Sequence, residues 1–345
     1  MPQIVVASYL EAEHLSRIRA VDERLSVFFD PAMVPAPRYA ADHVGDGRFR
    51  RSRDKEVEWL ARLEDAEILF DFDRTHEHDL PDLAPDLRWI QGTSAGIGQY
   101  VISNNYHIRM PKTVFTTASG VHAKPLAEYC LMSMLIFSRG LFRVLRDQRR
   151  RHWERYAGTD LAGRTVVIVG LGAIGKEIAR AARAFGMHVI GVKRRVTPTL
   201  AEAMPVDELY PPAALNDALH RAEFLILVAP HTAETKGMIG RDQLHLMPVG
   251  SVIINVGRGP LIDEQALIEA LKSGHLGGAS LDVFRTEPLP GDSPLWDLPN
   301  VLISPHSGST SDRENARITD IFCDNIQRYL AGKSLRNVFD TEHLY

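Results

Sequence analysis

Short, unbroken apolar runs alternate along this chain with stretches whose apolar positions recur at helical spacing. Over the first third, Ile4–Ala7, Ile68–Phe72, Leu87–Gln91 and Thr113–Thr116 read as strands. Lys55–Leu63 belongs to the helical or loop-rich stretches between them. Residues 30–53, rich in Pro, Gly and charge, read as an irregular loop region. A second series opens at Thr165–Val169 and runs through His188–Val192, Phe224–Val228, Ser251–Val256, Gly278–Val283 and Val301–Ser304. Continuous apolar runs of this length suit strands buried on both faces. Six of them alternating with helices is the count for a doubly wound parallel sheet. Residues 311–330 then read as one amphipathic helix, with Ile318, Ile321, Phe322, Ile326 and Leu330 as its apolar face. Coming after the second series, this helix is placed to return to the first.

Between the first two strands of the second series lies Gly170-Leu171-Gly172-Ala173-Ile174-Gly175. A G-x-G-x-x-G between strand and helix is a dinucleotide site with a mechanism. The first glycine permits the tight turn, the second admits the pyrophosphate to the backbone, and the third lets helix and strand pack closely. The helix N-terminus then offers free N–H groups to the phosphates. Gly170, Gly172, Ala173, Ile174 and Gly175 are therefore expected to contact the cofactor. An NAD site usually carries an acidic residue about 20 positions past the first glycine. No acidic residue lies between Glu177 and Glu202, and the second strand ends in Lys193-Arg194-Arg195. Three cations there suit the 2′-phosphate of NADP(H); NADP(H) is the expected cofactor, with NAD(H) as the lesser possibility.

These readings predict an α/β protein of two Rossmann-like or flavodoxin-like doubly wound parallel-sheet domains. A dinucleotide-binding domain, residues 119–306, is inserted into a substrate domain of residues 1–118 plus 307–345, with a ligand expected in the cleft. The 345-residue length agrees with two domains. With 45% hydrophobic and 24% charged residues the composition is that of an ordinary globular protein, and a net charge of −4 argues against a nucleic-acid surface. Cys130 and Cys323 sit in apolar helical patterns and read as buried free thiols. No stretch approaches the length of a membrane span, and the N-terminal apolar run is too brief for a signal peptide, so a cytoplasmic location is expected. Residues 125–154 read as one long helix, apolar nearly all round and then basic from Arg146 to Arg155. An all-round apolar helix must be buried; a homodimer through this helix, residues 125–155, is the expectation.

Three polar residues follow strands of the second series: Arg258 after Asn255-Val256-Gly257, Glu287 after Leu281-Asp282-Val283, and His306 after Ser304-Pro305. Ligands of open parallel sheets bind beyond the carboxyl ends of the strands, which is where a nicotinamide would lie. Pro230, Val256, Gly257, Arg258, Asp282 and His306 complete the expected cofactor contacts. Asp282 is expected either to add negative potential beneath the nicotinamide or to cap a turn. His122 reads as a hinge-region hydrogen-bonding residue, His231 as merely near the cofactor, and Trp296 as cleft wall or core. No Cys/His cluster has metal-ligand spacing, and no metal is expected.

The chain resembles the D-isomer-specific 2-hydroxyacid dehydrogenases, within the group that includes glyoxylate/hydroxypyruvate reductases. The resemblance is carried over residues 89–340 by Ser94-Ala95-Gly96-Ile97, Ala118-Ser119-Gly120-Val121-His122, the glycine turn, Asn255-Val256-Gly257-Arg258-Gly259, Leu281-Asp282-Val283-Phe284, Glu287-Pro288-Leu289-Pro290, Ser293-Pro294-Leu295-Trp296 and Ser304-Pro305-His306. It implies a catalytic Arg258, Glu287 and His306, and a substrate-carboxylate site at the backbone N–H groups of Ala95, Gly96 and Ile97, with Arg258 and His306 also touching substrate. It also implies D-stereochemistry. In that chemistry Arg258 orients a 2-oxo acid and stabilises charge on its carbonyl oxygen. His306 exchanges the proton, and Glu287 holds the ring by its opposite charge. The expected partner is thus a small 2-oxo or 2-hydroxy acid. A nucleotide-sensing corepressor-like protein on the same fold is the alternative.

Overall fold

Every strand pair in the computed structural model, which describes residues 1–341, is parallel, as the unbroken apolar runs require. The strands form two separate sheets, and the chain divides into two units: Met1–His122 with the chain from Thr310 onward, and Ala123–Ser309.

In the first unit, β1 (Gln3–Val6), β2 (Ser26–Phe28), β3 (Ile68–Phe70), β4 (Trp89–Gln91) and β5 (Val114–Thr116) lie in the order β2-β1-β3-β4-β5. On one face, Trp59 and Leu63 of the helix Arg53–Glu64 pack with Leu69, Phe72, Tyr106 and Phe115. On the other, Ile318, Phe322 and Ile326 of the helix Glu314–Leu330 cover Ile4, Val6, Phe70 and Trp89. The C-terminal helix therefore completes the first sheet's core, starting three residues later than its sequence pattern indicates. No helix or strand occupies residues 30–52.

In the second unit, β6 (Thr165–Val169), β7 (His188–Val192), β8 (Glu208–Tyr210), β9 (Phe224–Leu227), β10 (Ser251–Asn255), β11 (Leu276–Leu281) and β12 (Val301–Ile303) take the order β12-β11-β10-β9-β6-β7-β8. The helices Ala123–Ser138 and Ala173–Ala184 cover one face through Leu126, Cys130, Met134, Ile178 and Ala182. The helix Glu264–Lys272 lies on the other with Leu267 and Leu271.

Four expectations need correction. The second sheet has seven strands, not six, and the first has five, not four. The two extra strands, β2 and β8, are sheet edges paired on one side and only half-buried, so neither needs an unbroken apolar run. The stretch 125–154 is not one helix. It stops at Ser138, Gly140 turns with φ +66°, and a second helix, Leu141–Arg149, follows. The first helix buries a stripe and leaves Met132 exposed, whereas the second buries nothing and Trp153 beyond it is 94% exposed. Cys130 is buried as expected, but Cys323 is only half-buried; both are free thiols. Among the described residues no helix is long and apolar enough to cross a membrane.

Candidate active site

The glycine turn joins β6 to the helix Ala173–Ala184. Gly170 has φ +106°, and a Cβ there would lie 2.8 Å from the Ala229 backbone nitrogen. A Cβ on Gly175 would lie 2.0 Å from the Gly170 carbonyl oxygen. Both positions thus exclude any side chain. Gly172 is different: nothing lies within 4 Å of the place its Cβ would take. The helix it caps has no side-chain cap, so its first N–H groups face open space, a cradle suited to a pyrophosphate.

Lys193 follows β7, half-buried, with its ammonium 3.4 Å from the Leu171 carbonyl. Burial first, then the neighbouring charges of Lys176 and Arg194, pull the Lys193 ammonium below its ordinary value. Among the described residues neither lysine has an ion pair within 4.0 Å, so Lys176 and Lys193 bring two positive charges with no carboxylate beside them. Arg194 and Arg195 are exposed. Lys176 escaped the sequence reading. Its signal was a cation in the first turn of a helix, where the dipole disfavours it. The turn and this cluster together fit a dinucleotide carrying an extra phosphate.

At the carboxyl ends of β10 to β12, the structure brings Glu287 and His306 into contact: Glu287 Oε2 lies 2.8 Å from His306 Nδ1. The other carboxylate oxygen, Oε1, accepts from the Phe284 N–H at 2.9 Å, which fixes the carboxylate's orientation. The side chains of His306 and Glu287 are 48% and 36% exposed, open enough to meet a small molecule. Arg258 is presented by a turn that Asn255 brackets: Asn255 Oδ1 accepts from the Gly257 N–H and its amide donates to the Arg258 carbonyl. The guanidinium donates to the Gly257 carbonyl at 2.7 Å. Burial lowers its pKa and the charge of Glu287 acts against that. Arg258 is thus an electrostatic neighbour of Glu287, with no ion pair between them at contact distance among the described residues.

Asp282, 2% exposed, caps the turn that carries His306: its Oδ1 accepts from Ser304 Oγ, the Ser307 N–H and the Gly308 N–H. Val256 is buried, with its N–H on the Leu227 carbonyl. Pro230 and His231 are exposed beyond β9. Trp296 is 51% exposed and its indole N–H donates to the Pro290 carbonyl, so it is not core. In the first unit, Ala95 and Gly96 are exposed and Ile97 is buried in the loop after β4; the Gly96 N–H is held by Ser94 Oγ at 3.2 Å. His122 Nε2 contacts Glu314 Oε1 at 3.0 Å, linking the two points where the chain leaves and re-enters that unit. Among the described residues no group of His, Cys, Asp and Glu could hold a metal ion.

Residues 131–308 match the family described as D-isomer specific 2-hydroxyacid dehydrogenase, NAD binding domain. The chain is 31% identical over 306 residues to a D-3-phosphoglycerate dehydrogenase of Methanocaldococcus jannaschii, covering 88% of this chain and 57% of that one. It spans about half the length of the phosphoglycerate dehydrogenases it matches. It is 32% identical to a glyoxylate/hydroxypyruvate reductase B of Yersinia pestis, covering 84% of this chain and 89% of the relative. The fold superposes with TM-score 0.77, at 26% identity and 100% coverage of both chains, on an NADPH-dependent glyoxylate/hydroxypyruvate reductase of Sinorhizobium meliloti solved with NADP and sulfate. The second unit is accordingly an NAD(P)-binding domain.

Proposed function

We propose that this chain, which belongs to the D-isomer specific 2-hydroxyacid dehydrogenase family, reduces a small 2-oxo acid to the D-2-hydroxy acid with NADPH. Glyoxylate and hydroxypyruvate are the first substrates to try, being those named for the Yersinia and Sinorhizobium relatives. The observation that carries the reading is the Glu287–His306 contact at the carboxyl ends of the nucleotide-unit strands, with Arg258 as its charged neighbour.

When bound, NADPH supplies the hydride that C2 of the oxo acid receives. Negative charge then develops on the former carbonyl oxygen. Arg258 is the permanent cation that stabilises it and orients the substrate carboxylate. Glu287 holds His306 at Nδ1, leaving Nε2 to carry the proton that makes the hydroxyl; in the reverse direction Nε2 accepts it. The N–H groups of Ala95, Gly96 and Ile97 receive the substrate carboxylate in this proposal, the Gly96 N–H exchanging its Ser94 Oγ contact for it. Gly170 to Gly175 hold the pyrophosphate, Lys193 to Arg195 with Lys176 hold the 2′-phosphate, and Pro230, Val256, Gly257 and Asp282 border the nicotinamide end. The uncompensated charge at Lys193 favours NADPH over NADH. A homodimer through Leu141, Val144, Leu145 and Trp153, all exposed in the single chain, and a cytoplasmic location, supported by the two free thiols, belong to the same proposal.

The test is NADPH oxidation followed at 340 nm with a panel of 2-oxo acids, in the native protein and in His306→Ala. General acid–base catalysis contributes about 10²–10⁴-fold, and a loss of kcat in that range is expected. Native kcat in His306→Ala would refute the role. Silence of the whole panel, with NADPH altering the protein's assembly, would favour the regulatory alternative.

A further inference from the structure

We infer that Asp282, acting through Ser304 and backed by Tyr129, is a positioning residue for His306. This inference rests on the acid–base reading of that histidine. His306 stands at φ +54°, a left-handed backbone conformation that a residue with a Cβ adopts only when its surroundings impose it. Ring orientation alone cannot impose it, and the Glu287 contact reaches only the ring. The backbone must be held from elsewhere.

Asp282 does this from the carboxyl end of β11. One oxygen, Oδ1, accepts from Ser304 Oγ at 2.6 Å, from the Ser307 N–H at 2.8 Å and from the Gly308 N–H at 2.8 Å. The Asp282 backbone carbonyl accepts from the His306 N–H at 2.9 Å. The turn is pinned at residues 304, 306, 307 and 308, on both sides of the histidine. Asp282 is itself tied into the sheet by its N–H on the Asn255 carbonyl at 3.0 Å. A buried carboxylate needs such donors, and three charge-assisted bonds make a rigid anchor.

Tyr129, on the helix Ala123–Ser138, backs the turn. A Cβ on Gly308 would stand 2.9 Å from Asp282 Oδ2 and 3.2 Å from Tyr129 Cγ, so the turn is pressed against both side chains. Tyr129 is fixed in turn. Its hydroxyl accepts from Ser280 Oγ at 3.1 Å, Ser280 Oγ meets Ser133 Oγ at 2.8 Å, and Ser133 Oγ donates to the Tyr129 carbonyl at 2.8 Å. Ser133 and Ser280 are fully buried, so this hydroxyl chain ties helix, strand and turn together. Two carboxylates thus have separate work at one histidine: Glu287 orients the ring, and Asp282 places it.

Asp282 also borders the nicotinamide end in the proposed function, so the test must separate placing His306 from serving the cofactor. The test compares Ser304→Ala, Asp282→Asn and Gly308→Ala with the native protein. The first removes one hydroxyl, the second the charge, and the third pushes the turn sterically while leaving both carboxylates intact. NADPH affinity is read by fluorescence titration, kcat with the best 2-oxo acid, and the His306 ring nitrogens by NMR of the unliganded, 15N-histidine-labelled protein. The ring signals are assigned by their loss in His306→Gln. A misplacement of about 1 Å costs on the order of 10²-fold in rate. The expected result is a kcat loss approaching that size in Asp282→Asn and Gly308→Ala and a smaller one in Ser304→Ala, with NADPH affinity unchanged in Gly308→Ala and Ser304→Ala, which leave the Asp282 carboxylate in place. The Nδ1 resonance that reports the Glu287 contact should move or broaden in all three.

A native Nδ1 resonance in Asp282→Asn and Gly308→Ala overturns the inference. So does an NADPH affinity that falls as far as kcat in Gly308→Ala and Ser304→Ala, since the turn then serves the cofactor. Native turnover in His306→Gln, or no turnover with any 2-oxo acid, overturns the acid–base reading instead. The spectra of the unliganded protein still decide whether Asp282 holds the ring in place.

Discussion

Alanine at Gly172 and alanine at Gly175 should have opposite consequences, although the two glycines lie three residues apart in one turn. At Gly175 a Cβ would be 2.0 Å from the Gly170 carbonyl oxygen and 3.0 Å from its carbonyl carbon, both backbone atoms that cannot swing aside. Ordinary contact begins near 3.4 Å, so the helix Ala173–Ala184 must move from the turn by roughly 1.4 Å. Overpacking of this kind costs about 1–3 kcal/mol, and a backbone neighbour places Gly175→Ala at the upper end. For a domain of 150–250 residues that is a fall in Tm of roughly 6–12 °C. At Gly172 a Cβ meets nothing within 4 Å, and φ is −78°. The folded chain should lose at most about 1 kcal/mol, from the weaker helix cap. The new methyl stands instead where a pyrophosphate must approach. Losing one charge-assisted hydrogen bond of about 1.5–3 kcal/mol weakens binding roughly 10- to 150-fold. Thermal denaturation without cofactor and fluorescence titration with NADPH separate the two effects. A native Tm in Gly175→Ala refutes the packing argument, and a native Kd in Gly172→Ala refutes the placement of the pyrophosphate.

Further outcomes follow from other parts of the molecule. Lys193→Ala should raise the Kd for NADPH about tenfold or more and leave that for NADH nearly unchanged; calorimetric titration with both cofactors checks this, and equal losses would refute it. In the proposed homodimer the 94% exposed Trp153 would be covered by the second copy, so Trp153→Ala should shift the protein toward monomer in sedimentation; an unchanged dimer removes Trp153 from the interface, and a native protein that sediments as a monomer refutes the homodimer. His76 is held by Asp73 and Glu56, and the Asp73 hydrogen bond chiefly raises its pKa. A raised folded-state value means stabilisation fully present below about pH 6.5 and lost as pH rises through the folded pKa. His76→Gln should therefore destabilise more near pH 6 than near pH 9 in urea titrations. A difference independent of pH contradicts the assignment.

The residues that do local work were legible in one dimension. Gly170 and Gly175 are demanded by contacts within a few residues or with an adjacent strand. The cationic end of β7 is a run of three consecutive residues. The strands buried on both faces announce themselves as TVVIV, FLIL and SVIIN, because a parallel sheet covered on two sides tolerates little else. The edge strands β2 and β8 left no such trace, since half of each faces water. The break at Gly140 was hidden in an apolar stretch whose composition suits one long helix or two. It is decided by a positive φ that only the folded chain reveals. Lys176 went unnoticed because its meaning depends on Lys193, which the sequence places 17 positions away and the fold brings alongside.

By itself, then, the order of residues determined the parallel α/β architecture, the dinucleotide turn and the identity of Arg258, Glu287 and His306 as candidates. Tertiary structure alone decided how those candidates meet: that Glu287 reaches Nδ1 and leaves Nε2 available, that Arg258 neighbours Glu287 without pairing with it, and that Asp282 spends its carboxylate on the turn beneath the histidine. The physical reason is range. Burial patterns and turn geometry act over a few neighbouring residues and leave a periodic mark, whereas a hydrogen bond between residues 19 to 26 positions apart depends on where two strand ends come to lie.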